Sequence, residues 1–303
     1  MKTRLFHAFF WTLLPAGLLF SSVFSQAEAL CPGRAQGLHP RLVAHALLVV
    51  SVKINQAGPF DFMLDTGSQL NVIDPELAAQ LAVKPQAQVG LVTTSSVLPA
   101  SVVALDSIEA GALRVAKPLA AVHDLGSIQA ADSRIRGVLG ENFLSHFDML
   151  IDYPRGLVCL DNANLMEKEI RGERIPLRIS NHVENDLAFS TPLVISVDLS
   201  ETARPVLLQI DSGIDGSILY HESLLSQVKI QAPATADMFT RFAILPPQNI
   251  KLGARTIRNV SFAAPAGVSS NLSDRKEDGI LATVLFERVY INHADQYIVF
   301  DPK

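Results

Sequence analysis

One phrase occurs twice in this chain of 303 residues. Phe62-Met63-Leu64-Asp65-Thr66-Gly67-Ser68 closes one apolar run, and Leu207-Leu208-Gln209-Ile210-Asp211-Ser212-Gly213 closes another. After a nearly equal interval, each is followed by a glycine and an apolar pair: Gly137-Val138-Leu139 in the first half, Gly279-Ile280-Leu281 in the second. A chain that repeats a strand end, an acid and a turn glycine in this way is constrained to build two similar β-rich units. It also delivers one carboxylate from each unit to a pseudo-twofold junction, where the pair can share acid and base work.

The elements between these phrases follow the same plan in both halves. Ala46 to Val52 and Phe60 to Leu64 read as strands around a turn at Asn55 to Gly58. Asp74-Pro75-Glu76 is a helix start, with an acidic N-cap and proline at the first helical position, and the helix is expected to run to about Leu81. Val89 to Leu125 is hairpin territory, and Gly140 to Phe147 a short helix. Met149 to Asp152 and Leu157 to Leu160 are strands joined by Tyr153-Pro154-Arg155-Gly156. In the second half, Pro192 to Val197 and Val206 to Ile210 read as strands, Glu222 to Val228 and Ala282 to Arg288 as short helices, and Gln296 to Phe300 as the closing strand. The expected organisation is a signal peptide over 1–29, a lead over 30–41, a first lobe over 42–161, a mixed-charge solvated linker over 162–174 and a second lobe over 175–303.

The repeated phrase suits proton chemistry. Glycine two residues after each aspartate lacks a Cβ and lets the chain turn beneath the carboxylate. Thr66 and Ser212 each supply a hydroxyl that donates and accepts across the junction. Two carboxyls held a few ångströms apart do not both ionise, so the pair shares a proton. Its ionised member can polarise a water while its protonated member donates to a carbonyl.

Leu64-Asp65-Thr66-Gly67-Ser68 resembles the active-site loop of the pepsin and retropepsin aspartic proteases, and Gly137-Val138-Leu139-Gly140 resembles that family's second signature, a turn that closes a ψ-shaped loop around the catalytic strand. The succession from Asn142-Phe143-Leu144 to Asp152-Tyr153-Pro154 is similar to bacterial retropepsin-like proteins. The likeness covers nearly the whole mature chain and is sharper in the first half. It implies an all-β fold of two retropepsin-like barrel lobes with short helices and a cleft between them. It implies an aspartic endopeptidase with Asp65 and Asp211 as the catalytic pair, an extended peptide as substrate, and neither cofactor nor metal. Thr66, Gly67, Ser212 and Gly213 would support the loops, Ser68 would hydrogen-bond Asp65, and Gly137, Val138, Leu139, Gly140, Gly279, Ile280 and Leu281 would form the ψ-loops. Val92 to Val103, around Leu98-Pro99-Ala100, is the candidate cover hairpin; it lacks the tyrosine of pepsin-like enzymes, which tilts the likeness toward retropepsins.

The second half departs from the pattern. Ile214 stands where the first half has Ser68, so Asp211 is expected to lack one hydrogen bond, and Ala282 stands where the first half has Gly140. Asp215 is a nearby acid whose plainer reading is a turn residue. These departures leave two alternatives open: a non-catalytic peptide-binding protein on the same fold, and a protease active only as a homodimer of first lobes. The leading expectation is a monomer.

Other chemistries find no support. Eight histidines are scattered without zinc spacing, and His146 and His221 read as packing or surface residues. No G-x-S-x-G elbow and no phosphate-cradling loop fits. The formal net charge of −5 and the lack of a basic stripe argue against a nucleic-acid partner. Asn259-Val260-Ser261 and Asn271-Leu272-Ser273 are formal glycosylation sequons. At the N-terminus, Lys2 and Arg4 precede an apolar stretch from Leu5 to Phe24, and Ala27-Glu28-Ala29 offers small residues to a signal peptidase. Export to a periplasmic or extracellular space is expected, with an uncleaved membrane anchor as the alternative. The two cysteines, Cys31 and Cys159, either pair or are unrelated thiols. The lead from Leu30 to Arg41 is long enough to lie across a cleft.

Overall fold

The computed structural model describes residues 30–92, 97–178, 183–184, 187–188, 190–200, 202–220, 222–225, 242–265 and 275–303. The leader, His7, His182, His221, the sequon at 271–273 and the hairpin tip at 93–96 lie outside the described residues. The fold is all-β, with short helical turns at strand ends.

Two sheets repeat one strand order. In the first half, Leu119–Val122, Asn71–Ile73, Ile135–Leu139, Ala57–Leu64 and Leu47–Ile54 lie side by side. In the second, Phe262–Pro265, Ser217–Leu219, Gly279–Ala282, Val206–Asp211 and Val194–Leu199 take the same places. In each, the strand ending in the aspartate pairs antiparallel on one side and parallel on the other, the parallel partner carrying the Gly-apolar-apolar run. Next to the aspartates these strands are buried on both faces, as at Phe62, Met63 and Leu64 and at Leu208 to Ile210. Phe62, Leu64, Leu139, Leu208, Ile210 and Leu281 all belong to one continuous core.

A third, six-stranded sheet joins the halves: Gln36–Leu38, Leu157–Asp161, Asp148–Asp152, Arg288–Asn292, Tyr297–Phe300, Ile175–Pro176. Its central pair runs antiparallel, Met149 opposite Ile291 and Asp152 opposite Arg288. The closing hairpins of the two halves therefore meet edge to edge, and each half contributes its own entry strand to an outer edge. The repeat predicts similar hairpins but not their union, because strand pairing between segments so distant in sequence leaves no local pattern.

The lead does not lie across the site. Gln36–Leu38 forms an edge strand against Val158–Leu160, and Cys31 is disulfide-bonded to Cys159 across 128 residues of chain. A cross-link closing so long a loop restricts the unfolded chain strongly. Replacing both cysteines with alanine is expected to cost about 4 kcal/mol, read as a lower urea midpoint with a steeper slope as the unfolded chain expands; an unchanged midpoint would remove this role for the bridge.

The linker also differs from the solvated connector expected. Met166 is fully buried and Ile170 nearly so, packed with Cys31, Leu150, Cys159 and Tyr290. Asp161 caps this turn by accepting from the amides of Ala163 and Met166 at 2.8 and 2.7 Å. Its charged residues face outward, with Arg174 paired to Glu167 and set over the Tyr297 ring.

The Pro75–Gln80 helix starts as its sequence predicts. Asp74 accepts from the Leu77 amide at 2.6 Å, and Arg136 holds the same carboxylate from the neighbouring strand. The helix expected over Ala282 to Arg288 is instead a single 3-10 turn, Thr283–Leu285, because Arg288 already pairs with Asp152 in the shared sheet. An additional short helix, Gly126–Gln129, fills the end of the hairpin region, with Leu125 buried beneath it.

Candidate active site

The Asp65 and Asp211 loops face each other and are tied by reciprocal hydrogen bonds. The Thr66 amide donates to Ser212 Oγ at 3.1 Å, and the Ser212 amide donates to Thr66 Oγ1 at 3.1 Å. Each hydroxyl then donates onward, Thr66 Oγ1 to the Ile210 carbonyl and Ser212 Oγ to the Leu64 carbonyl, both at 3.1 Å. Both side chains are buried, so all four polar groups depend on these partners. This is why a hydroxyl follows each aspartate.

The glycines bring the carboxylates together. The Gly67 amide donates to Asp65 Oδ1 at 2.8 Å and the Gly213 amide to Asp211 Oδ1 at 2.6 Å. A methyl on Gly67 would lie 2.2 Å from Asp211 Oδ2, and one on Gly213 would lie 2.6 Å from Asp65 Cγ. Each glycine thus sits against the opposite carboxylate, a separation that no larger residue permits. Asp211 is 7 % exposed and Asp65 somewhat more. Burial, and then the charge of Asp211, hold the Asp65 carboxyl well above the usual carboxylate range; the amides of Gly67 and Ser68 pull partly back. Burial also raises Asp211, against the Gly213 amide, the hydrogen bond with Asp65 and the positive charge of Arg275. The two titrate as a pair and retain a proton to higher pH than an isolated aspartate would.

The ψ-loops support both aspartates alike. Leu139 pairs with Leu64, and its carbonyl accepts from the Asp65 amide at 3.0 Å. Ala282 pairs with Asp211. Gly137 lies over the Phe62 ring, where a Cβ would come within 2.2 Å of Cε1, and Gly279 lies as tightly on the Ile218 carbonyl. Val138, Leu139, Ile280 and Leu281 are buried beside them.

Three expectations change with the coordinates. The Ser68 hydroxyl donates to the Leu70 carbonyl at 2.7 Å and does not bond Asp65; the Gly67 amide is what donates to that carboxylate. Ile214 therefore removes no side-chain bond from Asp211, and it packs half-buried against Ile218, Tyr220 and Ile280. Ala282 is also housed: its amide is held by Ser217 Oγ at 3.0 Å, as the Gly140 amide is held by Asn71 Oδ1 at 3.0 Å. Asp215 is exposed in a bend, and His146 is exposed.

Several residues of the site were not singled out by the sequence. Gln209 Nε2 donates to the Gly67 carbonyl at 2.8 Å, a brace from the second half onto the first loop. A polar residue in an otherwise apolar strand is the signal that marks it. Asn142, one of the residues carrying the family likeness, holds the Asn71 amide at 2.6 Å and the Leu119 carbonyl at 2.5 Å. Tyr153 reaches from the first half to Thr283 Oγ1 at 2.6 Å; burial, opposed by that bond and aided by the Asp211 charge, pushes its phenol up to about 12. The candidate cover hairpin is formed by Pro85–Val92 and Val97–Ala104, paired antiparallel at the edge of the first sheet. Among the described residues, no cluster of three or more histidine, cysteine, aspartate or glutamate side chains could hold a metal ion.

Residues 50–143, which carry the Asp65 loop and the first ψ-loop, match the family model described as aspartyl protease. Among solved structures, a retropepsin-like aspartic protease from Rickettsia conorii is similar at 20 % identity over 41 % of this chain and 88 % of its own, with a TM-score of 0.31. No curated protein sequence matches the chain.

Proposed function

We propose that this chain is an aspartic endopeptidase in which Asp65 and Asp211 activate one water. The observation that carries the reading is the reciprocal tie between Thr66 and Ser212, which sets each loop's glycine against the other loop's carboxylate. The match of residues 50–143 to the aspartyl protease family supports it.

In this reading the two carboxyls hold one proton. The ionised member takes a proton from a water lodged between them, and that water attacks the peptide carbonyl carbon. The protonated member donates to the carbonyl oxygen. The resulting tetrahedral diol collapses with breakage of the C–N bond as the proton gained from water passes to the departing amine and a diol hydroxyl gives its proton to the other, now ionised carboxylate, which restores the singly protonated pair. The chemistry needs only the pair's shared proton, and burial of both acids is what keeps it in place. The substrate is an extended peptide in a cleft between the lobes, covered by the hairpin over 85–104. Export is proposed from the leader's composition, and a disulfide fits an oxidising compartment.

A quenched fluorescent peptide library incubated across acidic to neutral pH tests the reading. Cleavage is expected from the wild type and is expected to fall by at least about a hundredfold in Asp211→Asn. Full activity in that variant would instead favour a dimer of first lobes, and a wild type that cuts nothing would favour a peptide-binding protein.

A further inference from the structure

The turn after each ψ-loop is clasped by a side chain from the opposite half. Following Ala282, Thr283 Oγ1 meets Tyr153 Oη at 2.6 Å. Following Gly140, Glu141 Oε2 meets His293 Nε2 at 3.0 Å. Tyr153 and His293 hold matching places, each the first residue after a central strand of the shared sheet. One clasp is neutral; the other can carry charge.

We propose that His293, as the imidazolium, is a positioning residue for the Asp65 loop: it holds Glu141 across the junction of the halves, and with it the Gly140–Glu141 turn against which that loop is tied. The inference rests on the proposed catalytic pair. The Glu141 amide donates to the Ser68 carbonyl at 2.8 Å, so the turn and the loop move together. Glu141 is 1 % exposed, and its other oxygen, Oε1, finds no hydrogen-bond partner among the described residues. His293 is thus what holds this carboxylate, and a buried acid stripped of its partner is costly.

The ring's protonation state decides the clasp. His293 Nδ1 lies 2.6 Å from the Phe147 carbonyl, an acceptor only, so Nδ1 carries a hydrogen. A second hydrogen on Nε2 bonds Glu141; without it, a lone pair faces a buried carboxylate. The charged groups facing the ring are both acids, Glu141 and Asp148, the latter accepting from the His293 amide at 2.9 Å. Burial alone pushes the imidazole down, but the charge and hydrogen bond of Glu141, the Phe147 carbonyl and Asp148 outweigh it and leave the group above 6.5. A raised folded-state value means the clasp is at full strength below about pH 6.5 and is lost as pH climbs through that raised value.

The test measures kcat and KM of the full chain from about pH 4 to pH 9 on a fluorogenic peptide that the wild type cuts. The comparison variants are His293→Gln and the double Glu141→Thr/His293→Tyr, which copies the neutral clasp. Wild-type kcat is expected to fall at alkaline pH with KM steady. His293→Gln is expected to lose about tenfold in kcat at the acidic optimum and to keep only the alkaline fall set by loss of the pair's shared proton, so that the ratio of wild-type to variant kcat shrinks as pH rises through the His293 titration. The double variant is expected to recover kcat, again with the pair's alkaline fall alone. Superimposable profiles for wild type and His293→Gln would overturn the proposal. A second readout is independent of catalysis: the backbone amide NMR shifts of Ser68, Gly140 and Glu141 in the wild type should follow the His293 titration. Should no peptide be cut, the catalytic reading falls, and those amides still decide this one: tracking supports the clasp, and silence through the His293 titration overturns it.

Discussion

Asp65→Asn should abolish peptide cleavage while the protein stays folded. The substitution keeps the side-chain shape and the acceptor for the Gly67 amide, which donates to Asp65 Oδ1 at 2.8 Å. It removes the ionisable oxygen, so the pair no longer exchanges a proton with water and carbonyl. General acid–base contributions of this kind are worth about 10³-fold, or about 4 kcal/mol of barrier, and kcat is expected to drop by that much at every pH. Stability should move the other way. Because the folded-state value of Asp65 is raised, its ionisation destabilises the native state, with stability lost as pH rises from the unfolded value through the raised one. At neutral pH the variant is therefore expected to melt at or above the wild-type temperature. Undiminished cleavage by a well-folded Asp65→Asn protein would end the proposed mechanism.

The second large effect is expected at the tie between the loops. Thr66→Val deprives the Ser212 amide of its acceptor and the Ile210 carbonyl of its donor; Ser212→Ala does the same to the Thr66 amide and the Leu64 carbonyl. Each group left buried and unpaired costs about 1–3 kcal/mol, so each single variant, with two such groups, should lose about 2–6 kcal/mol in urea unfolding. The double variant should lose less than the sum, because loops parted by the first change admit water to the groups exposed by the second. Activity should fall further than stability, since each glycine sits against the opposite carboxylate only while the loops are drawn together. A single variant within 0.5 kcal/mol of wild type, about the scatter of a surface change, would show that the tie does not hold the loops.

What the sequence determined by itself is the local grammar. A strand end, an acid, a hydroxyl and a turn glycine are contiguous in the chain, so Asp65-Thr66-Gly67 and Asp211-Ser212-Gly213 are legible without a fold. Asp74-Pro75 declares its helix for the same reason: the cap bonds an amide three residues on. Gly137 and Gly279 are legible as glycines, and the crowding by Phe62 and the Ile218 carbonyl supplies the reason for them.

What only the tertiary structure decided is which distant groups meet. Ser68 and Ile214 could not be weighed from their types, since the decisive fact is that the Ser68 hydroxyl turns to Leu70. Ala282 is tolerated because Ser217, far from it in sequence, holds its amide as Asn71 holds that of Gly140. His293 looked like one scattered histidine among eight until the shared sheet carried it to Glu141. Pairing across such separations is set by how sheets stack and which polar groups are left to satisfy in the interior, and that requirement leaves no periodicity for a reader of the chain to find.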